Sequence, residues 1–123
     1  MIPAREINLG NIMIHPNSGE PCVIEPQDML SIMERELNGY NQNYEPIPID
    51  AEWLERFGAK QEIWKLADGV TERYWLFENE NMPLLTDNLQ IDGKDNVPVK
   101  FVHQLQNLHY CLTHTELTTK KEI

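Results

Sequence analysis

The residues best suited to chemistry lie near the C-terminus, where His103, His109, Cys111 and His114 follow one another closely. Imidazole and thiolate groups bind zinc, and a cysteine beside a histidine is the pairing of a nucleophile with its base. Two imidazoles of one helix reach the same ion when they are four residues apart. None of these histidines has that spacing, and His103 and His109 would lie roughly 120° apart around a helix. Cys111 would lie near the negative end of the helix dipole, which opposes a thiolate. We therefore expect neither a zinc site nor a cysteine nucleophile here.

Other catalytic and cofactor motifs are missing from the sequence. There is no GxSxG elbow, GxGxxG turn or GxxxxGK[ST] loop, which are the patterns of hydrolases, dinucleotide-binding proteins and nucleotide-binding proteins. Asp87, Asp92 and Asp95 lack the spacing of a calcium loop. We therefore predict no cofactor and no metal.

The element that carries the C-terminal polar residues is predicted to be a helix over residues 102–112. Its apolar positions predict a core face, with His109 at its edge; they are Val102, Leu105, Leu108 and Leu112. His103, Gln104 and Asn107 would lie on the opposite side. This polar side is interpreted as a solvated face, as side chains that cap neighbouring loops, or as a recognition surface of neutral donors and acceptors, which are easier to desolvate than charges. Tyr44, which begins a proline-rich extended segment, is a candidate member of the same surface.

Two earlier helices have clear sequence signals. Pro26 is favourable at a first helical position, and Asn38-Gly39 is a good stop. The apolar stripe between them predicts a buried face, or alternatively a groove for a partner; it contains Met29, Leu30, Ile32, Met33 and Leu37. Asp50 is a strong N-cap for a short helix over residues 51–57, and Gly58 would end it.

The strands are predicted to pair in hairpins. Residues 12–14 and 22–24 flank a turn-rich segment, and residues 60–66 and 70–77 flank Ala67-Asp68-Gly69, a strong hairpin signal. Further strands are expected at 84–85, 89–91 and 97–102. Hairpins rather than alternating strands and helices predict an α+β fold: a mostly antiparallel sheet with two or three short helices.

The whole chain has the size of one domain, residues 1–123, with 1–6 and 115–123 expected to fray. Its net charge of −10 disfavours direct binding to nucleic acid and to an anionic membrane surface. No segment is apolar enough for a signal peptide or a membrane span. Cys22 and Cys111 form no close motif, so a cytoplasmic location with reduced thiols is the expectation.

Two segments carry a family resemblance. Residues 44–58 (YEPIPIDAEWLERFG) resemble a YEPIPLTEEWLLKFGF block, and residues 100–117 (KFVHQLQNLHYCLTHTEL) resemble KYVHQLQNLYFALTGEEL. Both mark a group of small Bacteroidota and phage proteins to which no activity is assigned. The resemblance implies a bacterial or phage setting inside the cell. His103, Gln104 and Asn107 match the pattern, whereas His109 and His114 replace a Tyr and a Gly.

These observations favour a non-enzymatic module that binds a protein partner. Its predicted contact surface is His103, Gln104, Asn107 and Tyr44. Two other classes stay open: an acidic mimic of nucleic acid that inhibits a DNA-binding protein, and a small enzyme whose His/Cys site is assembled by the fold.

Overall fold

The computed structural model describes residues 7–65, 69, 71–86, 90–91 and 94–120. In that part of the chain, strands and helices follow one another in an α+β order. They are β1 (Ile12–Ile14), β2 (Pro21–Val23), α1 (Pro26–Leu37), α2 (Ala51–Arg56), β3 (Lys60–Lys65), β4 (Thr71–Leu76), β5 (Leu85–Thr86), β6 (Gln90–Ile91), β7 (Lys94–Pro98) and α3 (Val102–Thr113).

The strands pair antiparallel, as the hairpin signals predict, but they form two sheets and not the single sheet of the prediction. β1 pairs with β2, and β3 to β7 pair in sequence order as a meander. The predicted α+β class is therefore confirmed. The turn between β3 and β4, at 66–68 and 70, lies largely outside the described residues, as do 87–89 and 92–93.

An extended segment, residues 44–49, joins the small sheet to α3. Its backbone exchanges two hydrogen bonds between Ile14 and Glu45, at 2.9 and 3.1 Å. Further along, Ile49 N donates to the Lys100 carbonyl (3.0 Å) and Val102 N donates to the Ile47 carbonyl (2.8 Å). The prolines between these positions keep the segment extended and lack a donor of their own.

The signals for α2 are confirmed. The Asp50 carboxylate accepts a hydrogen bond from Trp53 N at 2.9 Å, and Gly58 follows the helix at φ +85°. Both features are local, because a cap bonds within one turn and a positive φ favours glycine. The helix buries Trp53, Leu54 and Phe57 in the main core, which also contains residues of β4, β5 and α3.

The predicted buried face of α1 is wrong, although the predicted bounds of the helix are confirmed. Within α1, all of which is described, only Ile32 is fully buried. Leu30, Met33 and Leu37 are 69%, 50% and 84% exposed; we call these three residues the α1 stripe. The helix packs on a small second core through one narrow side, and the α1 stripe lies away from that side with its side chains largely exposed. That second core contains Ile7, Met13, Ile24, Ile32 and Tyr44.

The segment from Thr115 to Lys120 is packed instead of frayed. Leu117 is buried in the main core, and Lys120 N donates to the Arg56 carbonyl at 2.7 Å. The polar composition of this segment predicts fraying. That prediction fails because composition does not show that one leucine, Leu117, is buried in the core and anchors the segment. Residues 1–6 and 121–123, for which fraying is also predicted, lie outside the described residues.

Two leucine truncations distinguish core from stripe. Leu54→Ala should lower the free energy of unfolding by about 2–5 kcal/mol, because it leaves a cavity in the core. Leu30→Ala should change it by less than about 0.5 kcal/mol, because its side chain is already in water. Urea unfolding followed by circular dichroism measures both, and a large loss for Leu30→Ala would mean that the stripe is covered.

Candidate functional site

The buried face of α3 differs from the predicted face. The structure buries polar side chains on this helix, namely His103, Gln106, His109 and Thr113, together with Val102 and Leu105. Leu112, which is predicted to face the core, is exposed. A helical wheel assumes one buried side, whereas α3 contacts the main core on one side and the segment before β1 on another.

His103 lies in the interior, so its assignment to an exposed recognition surface is wrong. Its side chain is 0% exposed, and its ring stacks on that of Phe101 with centroids 6.0 Å apart. A side chain without accessible area in the folded chain does not contact a partner.

Tyr44 is also buried, and the same correction applies to it. Its hydroxyl donates to Asp28 Oδ1 at 2.6 Å, and its ring meets that of His15 edge to face. Burial, followed by the bond to the Asp28 carboxylate, raises the pKa of this phenol above its ordinary value. Tyr44 therefore stays protonated as a donor that holds the extended segment on α1.

Gln104 and Asn107 are half-buried, and both bond within the fold. Gln104 Oε1 accepts from Lys100 N and Phe101 N at 3.2 Å each, which satisfies donors at the start of α3. Asn107 Oδ1 accepts from Asn8 Nδ2 (3.0 Å) and Asn11 Nδ2 (2.9 Å). A Gln at the third helical position is a recognisable capping signal, whereas the contacts of Asn107 span most of the chain.

Gln106 is the important polar residue that the sequence analysis does not single out. Its Oε1 accepts from Ile12 N at 2.8 Å, and its Nε2 donates to the carbonyls of Gly10 (3.0 Å) and Leu117 (3.2 Å). One buried carboxamide thus ties β1, the segment before it and the C-terminal segment to α3. Nothing in the local sequence predicts this role, since all three partners come from outside the helix.

Beside these carboxamides lies a concave site, which we call the α3 cavity. It has a volume of about 460 Å³ and lies between residues 7–11, the second half of α3, Met29 of α1, and Glu116 with Leu117. The apolar part of its wall includes Leu9, Tyr110 and Cys111. This volume is within the range of small-molecule sites in proteins.

The histidines of the C-terminal region and its cysteine, Cys111, do not form a common site. His109 is buried, and its Nδ1 lies 2.8 Å from the Thr115 carbonyl, which can only accept, so Nδ1 carries the hydrogen. Cys111 is exposed. Among the residues that the structure describes, no group of three His, Cys, Asp or Glu side chains could hold a metal ion.

Comparisons with known proteins add nothing to what the fold and the cavity show. No protein-family model, no curated protein and no solved structure matches the chain. Within the described residues, no helix combines the length and the apolar character that crossing a bilayer requires.

The same substitution at two positions of α3 should have different effects on the free energy of unfolding. Gln106→Glu replaces the buried amide donor with a carboxylate facing two carbonyl oxygens, so it should lower the free energy of unfolding by about 1–3 kcal/mol. Gln104→Glu keeps an oxygen acceptor at the positive end of the helix and should be neutral or slightly stabilising. Urea unfolding at neutral pH compares them, and equal effects would show that the Gln106 bonds do not stabilise the fold.

The two thiols should differ in reactivity. Burial raises the pKa of Cys22, and the carboxylates of Asp28 and Glu25 raise it further, so less of its thiol is ionised at a given pH. Cys111 is exposed. Iodoacetamide should therefore label Cys111 first, and Cys22 should need a higher pH or unfolding. Peptide mass spectrometry after timed labelling measures both rates, and faster labelling of Cys22 would contradict the packing of the second core.

Proposed function

We propose that this chain is a non-enzymatic interaction module that binds a protein partner through the α1 stripe. The observation that carries the proposal is the exposure of Leu30, Met33 and Leu37. These positions follow the i, i+3, i+7 spacing of one helical face. Isolated exposed leucines are ordinary, but a contiguous apolar stripe is typical of an interaction surface.

Beyond the helix, Tyr40 is a further exposed aromatic residue, 65% exposed, on the Arg35 side of α1 and outside the stripe itself. The Arg35 guanidinium lies over the Tyr40 ring, 5.6 Å from its centroid, and Arg35 Nε donates to the Asn41 carbonyl at 2.9 Å. These contacts hold the tyrosine beside the end of α1. Aromatic residues of this kind are enriched among the residues that dominate protein interfaces.

The charges around the stripe indicate the chemistry of the partner. Glu34 and Glu36 are exposed on α1, while Arg35 is engaged with the segment after the helix. The whole chain carries a net charge of −10. Two copies meeting through this face would bring like charges together, which opposes self-association. The favoured partner is therefore a different protein with an apolar patch and a basic rim.

The proposal includes the cellular setting that the sequence favours. The resemblance of residues 44–58 and 100–117 supports a bacterial or phage origin. The two free cysteines are compatible with a reducing cytoplasm. An enzyme with a His/Cys site has less support, because His103 and His109 are buried while Cys111 is at the surface.

Binding should be lost when the stripe is made acidic. In the Leu30→Glu, Leu37→Glu double variant, charges replace the apolar contact, so a partner captured from Bacteroidota lysate by the wild-type chain should be lost. Ile63→Glu, which changes an exposed residue of β3, is the matched control and should keep the partner. Affinity capture with quantitative mass spectrometry, followed by calorimetry on the purified pair, measures the difference.

The salt dependence of binding and the oligomeric state of the protein distinguish a partner of the stripe from an acidic mimic of nucleic acid and from self-association. A partner of the stripe should bind more weakly at high salt but persist, since apolar burial is not screened. Complete loss at high salt, together with full binding to the double variant, would instead favour the acidic mimic of nucleic acid. A wild-type dimer in light scattering that the double variant abolishes would show that the stripe binds a second copy, which contradicts the proposal.

A further inference from the structure

The α3 cavity shares no lining residue with the α1 stripe, and its walls are held in place by the fold. Asn107 bonds to Asn8 and Asn11, and Gln106 bonds to Gly10 and Ile12, so the two sides of the cavity are connected by side-chain hydrogen bonds. A site that is already ordered loses little conformational entropy when a ligand enters. This preorganisation distinguishes the cavity from an incidental surface depression.

The apolar wall of the cavity leaves large side chains in contact with water. Leu9 and Tyr110 are 54% and 53% exposed although both line a concave surface, and Met29 and Cys111 complete this part of the wall. Covering these side chains with an apolar molecule would remove their surface from water, which is favourable in proportion to the area covered. The wall therefore suits a ligand with a flat or branched apolar body.

The negative charge of the cavity determines which polar group a ligand can carry. Glu116 is the acidic residue among the lining residues described, and no Lys, Arg or His is among them. Its carboxylate lies over Gly10, with Oε1 3.5 Å from the place where a Cβ would stand. The net charge of −10 adds to the negative potential. An anionic ligand would be repelled, whereas an ammonium group would be attracted both to Glu116 and to the face of Tyr110.

We propose that the α3 cavity binds a small amphiphilic amine. Its apolar body lies between Leu9, Met29 and Tyr110, and its ammonium group pairs with Glu116. This is a second binding function, independent of the α1 stripe, and no covalent step is involved.

Three probes that share one ring system test the proposal. Tryptamine, tryptophol and indole-3-propionate place an ammonium, a hydroxyl and a carboxylate on the same indole body. Cys111 in the cavity wall reports occupancy, because a bound ligand shields its thiol from neutral iodoacetamide. The Cys22→Ser variant leaves Cys111 as the single thiol, so the labelling rate measures one site.

Tryptamine should slow the labelling of Cys111 in a saturable way, and its affinity should exceed that of tryptophol by up to about fivefold, the upper end for one partly exposed charge pair. Indole-3-propionate should bind most weakly. Glu116→Gln should reduce the affinity for tryptamine to that for tryptophol and leave tryptophol unchanged. Glu36→Gln, an equal change of charge on α1 outside the cavity, is the control and should change neither.

Two further results complete the test. Tyr110→Ala removes an exposed wall residue without opening the core, and it should weaken all three probes together. Circular dichroism establishes that each variant is folded. The proposal is overturned if no probe protects Cys111 at millimolar concentration, if the acid protects as well as the amine, or if Glu116→Gln and Glu36→Gln behave alike. Because the α1 stripe is intact in the Glu116→Gln variant, failure here leaves the protein-binding proposal standing.

Discussion

The backbone groups of Gly10, Ile12 and Leu117 meet on one side of α3, where Gln106 bonds to all three. Buried backbone donors and acceptors need partners, and an unpaired group is strongly unfavourable. The Gln106 carboxamide can bond to all three groups because its oxygen accepts from the Ile12 N–H and its NH2 group donates to the two carbonyls. An apolar side chain of similar size would leave all three backbone groups without this partner, so Gln106 links the N-terminal and C-terminal segments to the helix at one point.

That link extends to the α3 cavity. The segment before β1 forms one wall, and its neighbouring carboxamides, Asn8 and Asn11, bond to Asn107 one residue beyond Gln106. One polar side of the helix is therefore buried, and its side chains form hydrogen bonds that hold other chain segments in place. Asn107, which the sequence suggests as part of a recognition surface, instead belongs to the scaffold of a concave site. In the proposed binding function, recognition depends on the side chains around that scaffold, chiefly Leu9, Tyr110 and Glu116.

Sequence reasoning succeeds where the determining interaction is local. The cap of α2 at Asp50, the start of α1 at Pro26 and the pairing of β3 with β4 each depend on residues close together in the chain. It fails where the determining contact is distant. The helical wheel of α3 places His103 on the side away from the core and Leu112 on the core side, yet His103 is buried and Leu112 is exposed. The wheel also gives no sign of Gln106, whose partner Ile12 lies 94 residues earlier in the chain. The candidate surface built on His103 and Tyr44 fails for the same reason, and the cavity, assembled from three distant segments, has no local signal at all.

The exposed apolar residues and the strong negative charge are best understood together. A surface that presents the α1 stripe, Ile63 and Trp64 to water would favour association of identical copies if the chain were neutral. A net charge of −10 opposes contact between copies while it attracts basic surfaces and cationic molecules. The charge therefore acts as a filter on apolar binding. In the functions proposed here, the same negative charge favours a basic protein at the α1 stripe and a cationic molecule in the α3 cavity, and it opposes the pairing of two identical stripes.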